Sequence, residues 1–386
     1  MATTTTPDSR DRLFTRGFIL LTLGELAYLT TDGMAIFLIP VYAAGPLEAG
    51  QAGAGLAFGA FALSALALRP WVGRFADTRG RRPLLIGGAL VAALALALTA
   101  QATDLASLVA LRLLAGVGEA AVFTAIFAAI ADLAPPSRMG EALSYNSLAL
   151  YLGLAAGPPI AELMVSHAGF AAAWYLAAGL AVAAAATFVF VPESRVLDES
   201  VERHPLIHRP SLPVALGFLA SIVAMGGFLA FVALHADDLG MTRTSLPLFL
   251  YGITVVVGRV TMAKLVDRVP PLRLAAVALV AMAVGLTVAA TAPSPGWLLL
   301  GVLVLAIGVT FSTPAFFAAI FATAGPSERG AASAMASAAL DLGLGAGPIL
   351  LGYVAGAAGI GWAFGVAAGV ALAGAGWTLT RRLSPR

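Results

Sequence analysis

Apolar residues run along this chain in long blocks, each ended by a short stretch of Pro, Gly or charged residues. A block of about 20 such residues matches a helix that crosses the hydrocarbon core of a bilayer. A barrel strand would alternate polar with apolar positions, and an open sheet would leave backbone groups unpaired in lipid, so helices are the expected element. Twelve are predicted, at 17–39, 51–75, 84–101, 106–133, 140–165, 171–191, 212–234, 244–266, 272–291, 297–321, 330–355 and 361–380. Composition agrees, with 60% hydrophobic and 11% charged residues, whereas a water-soluble domain carries about 25% charge. The mean hydropathy is +0.93. The expected fold is therefore an all-α integral membrane protein.

Charge placement predicts the topology. The opening segment is polar, carries Arg10, Arg12 and Arg16, and has no cleavable small-residue site after a short apolar core, so it is expected as a cytoplasmic tail and not as a signal peptide. Arg69, Arg74, Arg79, Arg81, Arg82, Arg138, Arg195, Arg203, Arg209, Arg259, Arg268, Arg273, Arg329 and the last arginines all fall at ends or loops on that same side. Arg243 falls in an outer loop and Arg112 inside a span. Such a bias predicts a multi-pass protein of the cell (inner) membrane with both termini cytoplasmic.

The polar stretch 192–211 divides the chain near its middle. The expected organisation is a tail at 1–16, a six-helix bundle at 17–191, a cytoplasmic linker at 192–211, a second six-helix bundle at 212–380 and a tail at 381–386. A constant offset of 190 residues superposes Arg69 on Arg259, Asp77 on Asp267, Pro136 on Pro326, Ser137 on Ser327, Gly140 on Gly330, Gly153 on Gly343, Gly157 on Gly347 and Pro158 on Pro348. Two pseudo-symmetric bundles of one architecture, repeated in parallel, account for that register.

Three local patterns carry a resemblance. GRFADTRGRR at 73–82, between the second and third spans, resembles the loop signature of the major facilitator superfamily, with Gly73, Asp77, Gly80, Arg81 and Arg82 in its places. Its arginines would anchor the loop at the inner face, and Asp77 would meet a helix amino terminus or an Arg, locking the inner ends in one conformation. RLLAGVGEA at 112–120 is similar to the family's second signature. GLAAGPP at 153–159 and GLGAGP at 343–348 look like the Gly-xxx-Gly-Pro pattern associated in this family with antiporters, with Gly153, Gly157, Pro158, Gly343, Gly347 and Pro348 expected to act in gating. Ile160 and Ala161 stand where two further glycines would follow. Helix packing by small residues is the alternative for this pattern. The resemblance covers essentially the whole chain and implies twelve helices in two bundles, close to the drug or metabolite:proton antiporter branch, without naming a substrate.

Ionisable residues inside spans cost about 3 kcal/mol on insertion scales and are functional candidates. Glu25 and Asp32 lie in the first span, Arg112 and Glu119 in the fourth, and Asp341 in the eleventh. Glu25 and Asp32 are seven residues apart, about 10 Å along one helix face, and Arg112 and Glu119 repeat that spacing. The resemblance places the first and fourth spans on a central cavity, where these four groups would handle a proton. A static salt bridge joining helices is the alternative for each acid. Asp341 takes the place that Tyr151 holds in the first half, as a second substrate contact or as a polar group facing a neighbouring helix. Asn146, Tyr151, Met225, Phe228 and Phe311 complete the expected substrate contacts, within a largely apolar lining.

The chain has no cysteine and a net charge of +2, which excludes disulfides and thiolate metal sites and gives no nucleic-acid footprint. No phosphate-cradling Gly-Lys-Ser/Thr loop is present, so no ATP and no other cofactor is expected beyond a proton gradient. None of His167, His204, His208 and His235 lies mid-span, and no nucleophile motif suggests an enzyme. The leading expectation is a monomeric, proton-coupled exporter of small, largely lipophilic or cationic molecules. A proton symporter or facilitator for a sugar or organic acid is the first alternative, and a receptor or scaffold without flux the second.

Overall fold

The computed structural model describes residues 13–194, 208–325 and 328–381, with backbone only at Asp77, Pro136 and 263–267. The tail ends, most of the linker, and Pro326 and Ser327 of the repeat register lie outside these residues, as does the side chain of Asp77. The described part is helical: α1 Arg16–Ala44, α2 Gly50–Arg79, α3 Arg82–Thr99, α4 Leu105–Leu133, α5 Met139–Val189, α6 Leu212–Asp238, α7 Leu246–Arg268, α8 Pro271–Ala290, α9 Pro295–Phe321, α10 Arg329–Ala358 and α11 Ile360–Leu379. Ten of the described helices are long and apolar enough to cross a membrane, and Leu246–Met262 is a shorter apolar one.

The predicted fifth and sixth spans form one continuous element, α5, which reverses at Gly169 with φ 81° and ψ 173°. Its first arm runs alongside α1 in the same direction, with Gly153 against Leu29 and Thr30 and Gly157 against Gly33 and Met34. The second arm runs back: the Tyr42 ring packs 5.8 Å from Trp174, the Thr31 hydroxyl donates to the Ala177 carbonyl at 3.2 Å, and Gly24 lies under Phe188. α5 is thus two crossings. Gly359, 190 residues further on, has φ 94° and separates α10 from α11 in the same way. A side chain is disfavoured at both positions by the backbone alone.

Sequence chemistry sets the helix starts. The Thr15 hydroxyl accepts from the Phe18 N–H at 3.2 Å to open α1. Asp104 and Ser107 cap α4 reciprocally, the carboxylate accepting from the Ser107 N–H at 2.8 Å. α3 and α6 through α9 begin with Pro in the first turn, where a missing N–H is tolerated.

The first half packs α1 against both arms of α5, α2 against α4, and α3 against α4 and α5, while the second packs α6 against α10 and α11 and α8 against α9 and α11. Gly343 and Gly347 close on Ile222 and Val223 of α6 as Gly153 and Gly157 close on α1. The Gly-xxx-Gly pieces are therefore close-packing surfaces inside each half. Outward-facing side chains are apolar, Trp362, Val277 and Phe190 among them, as a surface solvated by lipid requires.

The halves meet along α2–α10 and α5–α7. Ala52 faces Gly356, Gly55 faces Gly352, and Gly59 lies against the Gly345 carbonyl. These contacts lie at the end opposite the one where α1 begins and α11 ends. At that same far end Glu162 of α5 accepts from the Thr244 N–H at 2.6 Å and from the Ser245 hydroxyl at 2.6 Å, capping α7.

Candidate functional site

Below the far-end contacts, between the two halves, lies a cavity of about 790 Å3. Its wall is mainly apolar, with Phe58, Phe61, Phe123, Phe127, Phe317 and Met225, and it is broken by Asp32, Arg69, Arg112, Glu119, Asn146, Tyr151, Tyr251, Arg259 and Asp341. A few polar groups converging in an apolar concavity of this size suit a small organic molecule.

The apolar stripes of α1 and α4 set where the charges point. Asp32 and Glu119 both reach the cavity and lie in electrostatic range of each other and of Arg112. Arg112 stacks 4.5 Å from the centre of the Phe61 ring, and among the described residues its buried Nε has no hydrogen-bond partner. Among the described residues Asp32 makes no ion pair within 4.0 Å. Asp32 is thus not held in a static salt bridge among the described residues, while Glu119 shares a hydrogen bond with Tyr28.

Glu25 behaves differently from Asp32. It is buried, accepts a hydrogen bond from Asn146 Nδ2, and is not in the cavity wall. Residues seven apart on a straight helix drift by about 20°, and α5 covers the face on which Glu25 lies. It joins two helices of one half, and only Asn146 of the pair looks into the cavity.

Two arginines expected at solvated span ends line the cavity instead. Arg69 of α2 forms a two-pronged ion pair with Asp341 of α10, its Nη2 donating to Oδ1 at 2.7 Å. It also lies within electrostatic range of Glu119. Asp32, Arg112, Glu119, Arg69 and Asp341 thus form a chain of alternating charge from α1 through α4 and α2 to α10. Arg259 of α7 donates to the Ser147 hydroxyl at 2.7 Å and the Tyr151 hydroxyl at 3.3 Å, with the Tyr151 ring centre 4.7 Å away. Arg69 with Asp341 and Arg259 with Tyr151 are related by the same offset of 190 residues. That register held the signal for these contacts, because both members of each pair repeat together.

The aromatic expectation needs correcting at two positions. Phe228 is 1% exposed and packs 5.3 Å from Tyr251, and Phe311 lies in the core beneath the wall. Neither lines the cavity. Its aromatic surface comes largely from α2 and α4, whose Phe residues sit on the same stripes as the charges. Met225, Tyr151 and Asn146 do line it.

Beneath the cavity, the 73–82 segment turns at Gly80, with φ 99°, where a Cβ would stand 2.6 Å from the Glu193 carboxylate. Glu193 accepts from the backbone N–H of Arg81 at 2.9 Å and of Arg82 at 3.3 Å, capping α3. The Arg81 guanidinium pairs with Asp132 at 3.2 Å, and Ser194 donates to the same carboxylate at 2.9 Å. Gly73 faces open space. The described bonds of this network join the first half to the start of the linker, and Glu193 and Asp132 are partners that sequence reasoning missed.

The model of the Major Facilitator Superfamily matches residues 21–271 and again 214–386. The chain belongs to the Major Facilitator Superfamily. Its all-helical architecture is that of the superfamily's fold, and it is a multi-pass membrane transporter. Among relatives, an uncharacterised MFS-type transporter of Burkholderia mallei is 30% identical over 362 residues, covering 90% of this chain and 88% of that one. Another uncharacterised MFS-type transporter, of Salmonella typhimurium, is 29% identical over 339 residues, 84% and 86% of the two chains. Among solved structures, the nucleoside transporter NupG superposes with TM-score 0.78 at 14% identity over 94% of this chain and 99% of that one. The human organic anion transporter MFSD10 does so with TM-score 0.72 at 18% identity, over 94% and 99%. At these identities the structural likeness speaks for the superfamily fold alone.

Proposed function

We propose that this major facilitator is a proton-coupled secondary transporter of small, largely lipophilic molecules, working by alternating access in the cell's inner membrane with both termini inside. One observation carries the reading: Asp32, Arg112 and Glu119 line a mainly apolar cavity between two halves that touch at its far end. A proton on either acid changes the cavity's charge and so biases which arrangement of the halves is favoured. In the exchange mode, cargo leaves the cell as protons enter, which the Gly-xxx-Gly-Pro resemblance supports. Arg259 supports a second mode, cotransport of an organic acid with a proton.

Purified protein in proteoliposomes, with internal pH followed as candidate compounds are added, tests the coupling. Cargo should drive a pH change in the parent, and Asp32→Asn should abolish it while the protein elutes as a folded, monodisperse species. Unchanged coupling in that variant would remove Asp32 from the mechanism.

A further inference from the structure

Around Arg259, beside the cavity, lie buried hydrogen-bond donors without an acceptor to receive them. Among the described residues the buried Arg259 Nε has no hydrogen-bond partner, and the same is true of the Tyr251 hydroxyl. Both residues line the cavity from α7, and Tyr251 lies in electrostatic range of Arg259 and Tyr151. The Tyr151 hydroxyl spends a lone pair on Arg259, which leaves its own O–H to donate. Buried donors are nearly always satisfied, and each one left over asks for an explanation. Elsewhere in the wall the unpartnered Arg112 Nε faces acids, Glu119 among them, whereas beside Arg259 the unpartnered groups are a guanidinium N–H and a phenol.

Charge balance points the same way. Arg69 is matched by Asp341, and Arg112 faces both Asp32 and Glu119. Among the described residues no carboxylate lies within 4.0 Å of Arg259. At the repeat position where Asp341 neutralises Arg69, Arg259 finds the uncharged phenol of Tyr151. Three arginines and three acids line the wall, so a single proton on Asp32 or Glu119 leaves one positive charge uncompensated. One such charge calls for a monoanion. A guanidinium with a free Nε edge matches the planar fork of a carboxylate or the oxygens of a sulfonate.

We propose that Arg259, Tyr251 and Tyr151 form an anion subsite of the cavity, and that the cargo is an amphipathic organic monoanion whose acidic head docks there while its apolar body lies on the aromatic wall. The proposal rests on the cavity being the cargo site, and it selects the cotransport mode over exchange of cations.

Equilibrium binding of radiolabelled octanoate to the full-length protein in lipid nanodiscs tests it, with binding to empty nanodiscs subtracted. Octanesulfonate should displace the label, whereas octanamide and octylammonium of the same chain length should not. Arg259→Gln should weaken octanoate binding at least tenfold, on the order of the 1.4 kcal/mol that one lost charge-assisted hydrogen bond is worth. Tyr251→Phe, which removes one hydroxyl and keeps the ring packed on Phe228, should weaken it severalfold and guards against a misfolded Arg259 variant. No saturable octanoate binding, displacement by octylammonium as effective as by octanesulfonate, or octanoate bound equally by the parent and both variants would each overturn the assignment. No pH gradient enters this measurement, so a failure here is separable from a failure of proton coupling in proteoliposomes.

Discussion

Arg69 and Arg259 hold equivalent places in the repeat and meet different partners, an acid in one case and a phenol in the other. Taking away one member of a buried ion pair strands the other, at a cost of about 3–5 kcal/mol, whereas removing both leaves no uncompensated charge. Arg69→Gln is therefore expected to lower the thermal unfolding midpoint in detergent clearly, and the double variant Arg69→Gln with Asp341→Asn to recover part of the loss. A double variant no more stable than the single one would show that the pair is not coupled. Gly80→Ala should also destabilise, by roughly 1–3 kcal/mol, since it combines a left-handed backbone with a Cβ against Glu193. The same unfolding assay checks it, and an unchanged midpoint would refute the close approach. At this scale Asp32, Arg112, Glu119 and Asp341 were legible as lone charges inside apolar blocks. Arg69 and Arg259 were not, because an arginine near a span end satisfies the positive-inside pattern wherever its side chain points, and the partner of Arg69 is 272 residues away.

Helices were legible from the apolar blocks, but how they pair was not. α5 shows the difference: two spans were expected, and the crossings are there, joined through a single left-handed glycine. The far end is closed by a contact of the same kind. Glu162 places a carboxylate on the N–H groups of Thr244 and Ser245, just ahead of α7, where the helix dipole favours negative charge. Glu162→Gln keeps the shape and removes the charge, so it should weaken the closed far end by about 1 kcal/mol. The chain has no cysteine, so spin labels on introduced cysteines at Ser166 and Met241 can report it. Their distance distribution should shift toward longer separations in the variant, and an identical distribution would show that Glu162 does not hold the far end together. The Asp104 cap on α4 has its own pH signature. Hydrogen bonds from Ser107 hold this carboxyl below its usual range, so the cap's contribution is present above the ordinary carboxylate pKa and is lost as pH falls through the lowered value. Protection of the Ser107 amide, its exchange rate referred to the intrinsic rate at each pH, should therefore fall in acid, and Asp104→Asn should flatten that dependence.

For the whole molecule, the proposed proton site and the proposed anion subsite share one cavity. Asp32 and Glu119 are faced by Arg112 from α4, Tyr28 from α1, and Arg69 and Asp341 across the cavity. A proton taken up there adds one positive charge to a cavity that already holds Arg259. An anion must then bind more tightly, and by linkage the anion must strengthen proton binding. Affinity for octanesulfonate, which stays ionised throughout, should rise as pH is lowered, and Asp32→Asn should remove much of that dependence. An affinity that falls with added acid would favour exchange over cotransport.

By itself, the sequence determined the membrane, the helices, the twofold repeat and the set of acids inside spans, because lipid demands apolar blocks and makes every intramembrane charge conspicuous. Tertiary structure decided which charges meet. It turned Glu25 into an interhelical bond, drew Arg69 and Arg259 into the cavity, and left Arg259 and Tyr251 with donors to spare. Those outcomes depend on distances between helices far apart in the chain, and no local pattern of residues encodes a distance.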